Sequence, residues 1–267
     1  MKEAIASSQN KHVKHVKSLH AKKHRDYLGQ FIIEGYKLIA EALEYNKPFN
    51  FLLLCETALI SPESTVLVNR CTESNIPVYL VEEKLFLEVS EMDTPQGVLA
   101  VLYKQEQKLH SVIESNHFNI VILDEVRDPG NVGTIIRTAD ACGISAVVLS
   151  SGCVDLYNSK TLRATMGSIF HMPVVTDVDI VELIGQLKAI GADVLGADPH
   201  SNINCIDTGL NQRTVIVIGN EAKGLRDEVK QATTRNITIP MPGKAESLNA
   251  GIAAAILMYE FAVRKTR

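Results

Sequence analysis

Short apolar runs alternate with helix-length amphipathic stretches along most of the chain, in two blocks separated by a polar interval. In the first block FIIEG (31–35), FLLLC (51–55), VYLVE (78–82) and GVLAVLY (97–103) read as buried strands. Between them YKLIAEALEY (36–45) places Leu38, Ile39, Ala42 and Leu43 on one helical face, and further helices are expected near 62–74 and 83–90. This pattern predicts a small α/β domain over 1–105. Residues 104–116 (KQEQKLHSVIESN) are polar, only weakly periodic and without a strand signal, so 106–116 is expected to be a linker to a second domain, 117–267.

The second block repeats the alternation more regularly. NIVILD (119–124), AVVLS (146–150), MPVVT (172–176), ADVLGAD (192–198), TVIVIG (214–219) and NITIP (236–240) are strand candidates. Helices are expected at 131–142, 158–169, 179–190 and 225–232. Strands that are apolar on both faces and alternate with helices imply a parallel sheet covered on both sides. In such sheets ligands bind outside the carboxyl ends of the strands. The last helix, 247–264, is apolar almost all round (Leu248, Ile252, Ala253, Ala254, Ala255, Ile256, Leu257, Met258), so it should be buried by the sheet and by a second subunit.

A length of 267 residues and an apolar fraction of 46% suit two domains with ordinary cores. No apolar run approaches the roughly 18–20 residues that span a bilayer, and the N-terminus lacks the apolar core of a signal peptide, so no membrane association and a cytoplasmic location are expected. Five widely spaced cysteines with no C-x-x-C pair suggest neither a disulfide framework nor a metal site. The net charge of −4 is unevenly spread: residues 1–25 hold seven Lys/Arg, Lys2 among them, against one acid, which puts about +6 there and about −10 on the rest. Charge alone leaves two readings, a phosphate-binding patch that includes Lys14, Lys22, Lys23 and Arg25, or a solvated basic helix.

Three strand-to-helix turns carry the distinctive polar residues, and they fail the common nucleotide-binding patterns. DPGNVG (128–133) is not G-x-G-x-x-G, and GNEAKGLR (219–226) has Leu225 and Arg226 where a P-loop needs lysine and Ser/Thr. There remain Asn131 and Arg137 from the first turn, Glu221 from the second, and Ser247 and Asn249 from the third. Taken singly, each has an ordinary alternative: Asn131 and Ser247 as helix N-caps, Glu221 as a turn residue, and Arg137 as a structural cation paired with some carboxylate.

Taken together, N-x-G-x-I-x-R-T-A (131–139), I-G-N-E-A-x-G-L (218–225) and I-P-M-x-G-x-x-x-S-L-N (239–249) resemble the three signature motifs of the SpoU/TrmH RNA 2′-O-ribose methyltransferases of the SPOUT superfamily. The first hundred residues are similar, by pattern, to the RNA substrate-binding domain that often precedes that catalytic domain. The resemblance implies an α/β parallel sheet ending in a trefoil knot folded around S-adenosylmethionine, with Gly219, Ile239, Met241 and Leu248 at the cofactor. It also implies a homodimer whose sites are completed across the interface, needing no metal.

The chemistry it implies falls to Arg137, with Asn131, Ser247 and Asn249 orienting ribose and Arg137, and with Glu221 fixing Arg137 or a loop amide. Because a guanidinium stays protonated, Arg137 is expected to act as a cation on phosphate and developing alkoxide rather than as a base. Lys160 and Arg163, at i and i+3 on one helical face, would add RNA contacts. The expected partner is RNA, rRNA before tRNA. The alternatives are a tRNA ribose methyltransferase and a non-catalytic RNA-binding protein that keeps the fold. Asn220, Lys244 and Glu246 depart from the small residues that relatives tend to carry at these loop positions, which bears on substrate choice.

Overall fold

The computed structural model describes residues 4–107, 109–209 and 211–266; Lys2 of the basic cluster and Lys108 of the expected linker lie outside them. The chain divides into two compact units. The first comprises Met1–Gln105 together with Tyr157–Phe170, so it includes a segment beyond the expected 1–105. Its helices are α1 (Lys11–Leu19), α2 (Lys22–Leu28), α3 (Tyr36–Glu44), α4 (Pro62–Glu73) and α5 (Glu83–Val89), and its strands are β1 (Gln30–Glu34), β2 (Phe49–Cys55), β3 (Val78–Val81) and β4 (Val98–Tyr103).

The four strands lie in the order β1-β4-β2-β3, with β4 antiparallel to both neighbours and β2 parallel to β3. The period-two alternation of a strand sorts its side chains. Ile33, Leu52, Leu54 and Ala100 face α3 and α4, whereas Phe51, Leu53, Leu99 and Val101 face α1 and α5. Val13, Val16 and Leu19 are the buried stripe of α1, which therefore packs on the sheet while its lysines stay in water. Leu162 and Phe170, from the later segment, complete the α3 side of this core.

The second unit comprises Glu106–Leu156 and His171–Arg267. After the short α6 (His110–Ile113) come β5 (Phe118–Leu123), α7 (Pro129–Ala141) and β6 (Ala146–Ser150). The chain next forms α8 (Ser159–Thr165), which belongs to the first unit, and then β7 (Val174–Val178), α9 (Ile180–Ala189), β8 (Asp193–Ala197), β9 (Arg213–Ile218), α10 (Asp227–Ala232), β10 (Arg235–Ile237) and α11 (Ala250–Thr266). The six strands are all parallel, in the order β10-β8-β9-β5-β6-β7. Helix α9 and Val229 of α10 cover one face, together with Leu109, Val112 and Ile113, so part of the expected linker packs on this core. Helices α7 and α11 pack against each other, α11 also lying on β9 and α7 on β6.

Several elements begin or end at other positions than the pattern suggests, for local reasons. β7 begins after Pro173, which has no amide hydrogen to enter the ladder. Helix α8 stops at Thr165, because Met166 takes a left-handed conformation with φ of 52°. Asn249 lies outside the last helix and caps it, its Oδ1 accepting from the amides of Gly251 and Ile252 at 2.9 and 3.2 Å. Among the described residues no helix is long and apolar enough to cross a membrane.

Candidate functional site

The carboxyl ends of β5 and β9 are in register, Leu123 opposite Ile218. The amide of Asp124 donates to the Ile218 carbonyl at 2.8 Å, so two of the three motif turns leave the sheet side by side. The first, ending in Asp128-Pro129, opens α7: the Asp128 side chain accepts from the Asn131 amide at 2.8 Å, and proline takes the first helical position. The N-caps are thus Asp128 and Asn249, and not Asn131 and Ser247.

The second turn is tight. Asn220 and Gly224 exchange backbone hydrogen bonds of 3.0 and 2.9 Å. Asn220 Oδ1 accepts from the amides of Ala222 and Lys223, and its Nδ2 donates to the Glu125 carbonyl at 2.8 Å. A Cβ on Gly219 would overlap the backbone of Gly224 and Leu225, so only glycine lets the turn fold back on itself. The turn is tied to β5 by Asp124, fully buried, which accepts from the Arg226 amide at 2.9 Å and from its Nε at 2.7 Å. Removing that carboxylate strands two donors, one of them partly open to water. Asp124→Ala should cost about 1–3 kcal/mol, measured by urea unfolding, and a change under about 0.5 kcal/mol, the usual scatter of surface substitutions, would contradict this anchoring role.

The third turn brings the side chains together. Glu221 accepts from Asn131 Nδ2 at 2.9 Å and from the amides of Asp128 and Arg127 at 3.2 and 3.3 Å. Asn131 Oδ1 in turn accepts from Asn249 Nδ2 at 3.0 Å. One polar relay, Glu221–Asn131–Asn249, therefore joins all three motifs. Partial burial raises the Glu221 carboxyl, but the bonds from Asn131 and the loop amides outweigh it and hold the group below its ordinary value of 4.5. A depressed carboxyl stabilises the fold above its unfolded value, and the benefit is lost as pH falls through the lowered value. The stability difference between wild type and Glu221→Gln should hold steady at neutral pH and shrink below the ordinary value. A difference that grows on acidification would contradict the relay.

Beside this relay the ends of β8, β9 and β10 and the approach to α11 enclose an open cleft of about 750 Å³, within the range of roughly 300–1,000 Å³ usual for small-molecule sites. Gly219, Ile239, Met241 and Leu248 all line it, as do Glu221 and Ser247. Ile239, Met241 and Leu248 are half-buried, Gly219 is buried and Ser247 is exposed.

Arg137 is not part of this cluster within one chain. It lies six positions after Asn131, about 9 Å along α7 and about 120° around the helix from it, where it is exposed. No described residue pairs with it, which removes the structural-cation alternative within the chain. Of the residues expected on RNA, Lys14, Lys22, Lys23 and Lys160 are exposed. Arg163 is half-buried near Glu34. Arg25 is buried, and its Nη1 donates to the carbonyls of Leu19 and His20 at 2.8 and 2.7 Å, terminating α1 rather than facing solvent.

Sequence reasoning missed Asp124, Asp128, Asn220 and Arg226. Asp-Pro ahead of a helix is a readable cap signal, whereas the Asp124–Arg226 pair joins positions too far apart for any local pattern to reveal. Burial raises the thiols of Cys71, Cys142, Cys153 and Cys205, which suits packing and not nucleophilic chemistry.

The model of the SpoU rRNA methylase family matches residues 119–259, a span that contains every residue of the relay and of the cleft. The chain belongs to the SpoU rRNA methylase family. Residues 10–100 match the MRM3-like substrate binding domain. The chain is 37% identical over 255 residues, 96% of its own length and 97% of the other, to the 23S rRNA (guanosine(2553)-2′-O)-methyltransferase RlmP of Bacillus subtilis. It is 30% identical over 247 residues, 90% and 85% of the two chains, to a 23S rRNA (uridine(2479)-2′-O)-methyltransferase of Streptomyces viridochromogenes. The AdoMet-bound rRNA methyltransferase of Sinorhizobium meliloti superposes with a TM-score of 0.87 at 31% identity, covering 99% of this chain and 98% of that one. The two named relatives of this SpoU family member modify different bases' riboses, so membership fixes a reaction class and leaves the nucleotide open.

Proposed function

We propose that the protein transfers a methyl group from S-adenosylmethionine to a ribose 2′-hydroxyl of structured rRNA, in the cytoplasm. The observation that carries this reading is the cleft at the carboxyl edge of the parallel sheet, lined by the second and third motif segments, with the Glu221–Asn131–Asn249 relay tying the first motif to them. The residues suit the cofactor. Ile239, Met241 and Leu248 offer half-buried apolar surface to an adenine ring, and the side-chain-free Gly219 brings main-chain polar groups to the cleft wall. The trefoil threading implied by the motifs belongs to the same reading, supported by the path of the chain from the edge strand β10 back to α11 against β9 and α7.

The bound cofactor supplies an electrophilic methyl group on a cationic sulfur. The remaining work is that of the chain. A ribose hydroxyl is a weak nucleophile, so the site must stabilise the negative charge that grows on its oxygen. Arg137 holds the adjacent phosphate and that oxygen as a fixed cation, and the proton leaves to phosphate or water. Glu221 and Asn249 use their side chains to hold Asn131 and the loop at the start of α7; they are positioning residues. Ser247, exposed at the cleft mouth, contacts the ribose.

Arg137 reaches a site by pairing of two chains. Ile252, Ile256 and Tyr259 of α11 are 51%, 39% and 65% exposed and recur at the i, i+4, i+7 spacing of one helical face. A homodimer that buries this stripe brings the exposed Arg137 of one protomer to the cleft of its partner. Light scattering at micromolar concentration should report a dimer, and Ile256→Glu should shift it towards monomer; a monomeric wild type would contradict this arrangement. The function itself is tested by incubating the protein with methyl-labelled cofactor and purified rRNA or tRNA. Label should enter rRNA. Label in tRNA alone would move the substrate to the other RNA class, and label in neither would contradict the reading.

A further inference from the structure

We propose that Tyr27 is a stacking platform for an unpaired base of the RNA, with Lys22 and Lys23 holding the flanking phosphates. The proposal rests on the RNA-methylating reading above and names the element of RNA that the first unit grips. Helix α2 buries only Arg25, so nearly its whole surface is given to solvent. Tyr27 is 86% exposed, and neither its ring nor its hydroxyl engages any described residue. Lys23 lies four positions before it, on the same face of the helix, and Lys22 and His24 are exposed beside it.

The neighbouring acid does not spoil the patch. Asp26 accepts from Lys104 Nζ at 2.7 Å, and that hydrogen bond holds its carboxyl below the ordinary range. The same lysine fixes the helix end to the sheet, its amide donating to the Gly29 carbonyl at 2.7 Å. Gly29, left-handed with φ of 61°, turns the chain directly into β1, so Tyr27 is held on a rigid element. At that end of the sheet Gln30 pairs with Tyr103, a second aromatic residue, 43% exposed.

Exposed rings interleaved with lysines match the chemistry of single-stranded RNA, since an unpaired base has a free face and a backbone charge beside it, while a base in a duplex has its faces covered. The charge distribution agrees, the first 25 residues carrying about +6 on a chain of net charge −4.

The chain contains no tryptophan, so Tyr27→Trp in the full-length protein gives a single reporter. Titration with a mixed-sequence single-stranded oligoribonucleotide should quench its fluorescence, and added salt should reverse the quenching; a blunt duplex of equal charge should quench little. In parallel, labelled-RNA anisotropy should show affinity for the single strand falling about tenfold in Tyr27→Ala and returning in Tyr27→Phe, the scale of one lost base stack. With methylatable rRNA the Tyr27→Ala defect should appear in KM and not in kcat. RNA that binds by anisotropy without quenching the tryptophan overturns the role of Tyr27 while leaving RNA binding intact. Absence of RNA binding altogether overturns the functional reading on which it rests. Quenching or a spectral shift that follows protein concentration without RNA would make the patch a self-association face and also overturn the proposal.

Discussion

Arg137→Ala should reduce methyl transfer at saturating cofactor and RNA by roughly a hundredfold or more, the scale of losing one donor that acts on transition-state charge, while cofactor affinity stays close to wild type. The physical ground is its placement. Arg137 projects from the exposed side of α7, makes no pair with any described residue of its own chain, and does not line the cleft. Removing it should therefore leave folding and the cofactor pocket untouched. An arginine kept to close a structural ion pair would behave oppositely, with thermal stability and binding falling together. Arg137→Lys should recover only a small fraction, because an ammonium point charge cannot replace the planar fork that the proposed role requires. A folded Arg137→Ala protein with near-normal turnover would remove Arg137 from the chemistry.

The second large effect is expected at Gly219. An added Cβ meets the backbone of Gly224 and Leu225 and not a flexible side-chain tip. That backbone is held by the paired bonds between Asn220 and Gly224 and by the Asp124–Arg226 anchor immediately after it. The turn can accept the methyl group only by moving away from the cleft wall. Gly219→Ala should weaken cofactor binding by at least about tenfold, or ~1.4 kcal/mol, in calorimetry of a sample whose circular dichroism is unchanged. Leu248→Arg should abolish measurable binding without entering the turn, because it replaces half-buried apolar surface of the cleft, beside Ile239 and Met241, with a cation facing a cationic ligand. Wild-type affinity in both variants would place the cofactor elsewhere.

The strands, and the helices from α3 onward apart from α6, were legible in the sequence because each carries the period of its own secondary structure: Ile33, Leu52 and Leu54 alternate across a sheet, and Leu38, Ile39, Ala42 and Leu43 repeat along a helix. The carboxyl-edge location of Glu221, Asn249 and Asn131 followed from the parallel topology, but their mutual bonds did not, since they join residues 90 and 118 positions apart. The packing of Leu162 and Phe170 into the first unit was equally hidden. An apolar residue on a short helix records that it is buried and not which core buries it. Arg25 misled for a related reason: a charge run looks uniform, and only the fold distinguishes the arginine that caps α1 from the lysines that remain in water.

The central claim is that this chain makes a 2′-O-methylated ribose, and the most direct measurement is of that product. Ribosomal RNA and tRNA taken from cells with and without the protein, digested and mapped by mass spectrometry, should differ at one rRNA nucleotide. Its methyl group should reside on the ribose, and the purified protein with S-adenosylmethionine should restore it to the RNA of the deficient cells. A methyl group carried on the base, or rRNA and tRNA methylation that is identical in the two cell lines, would contradict the account.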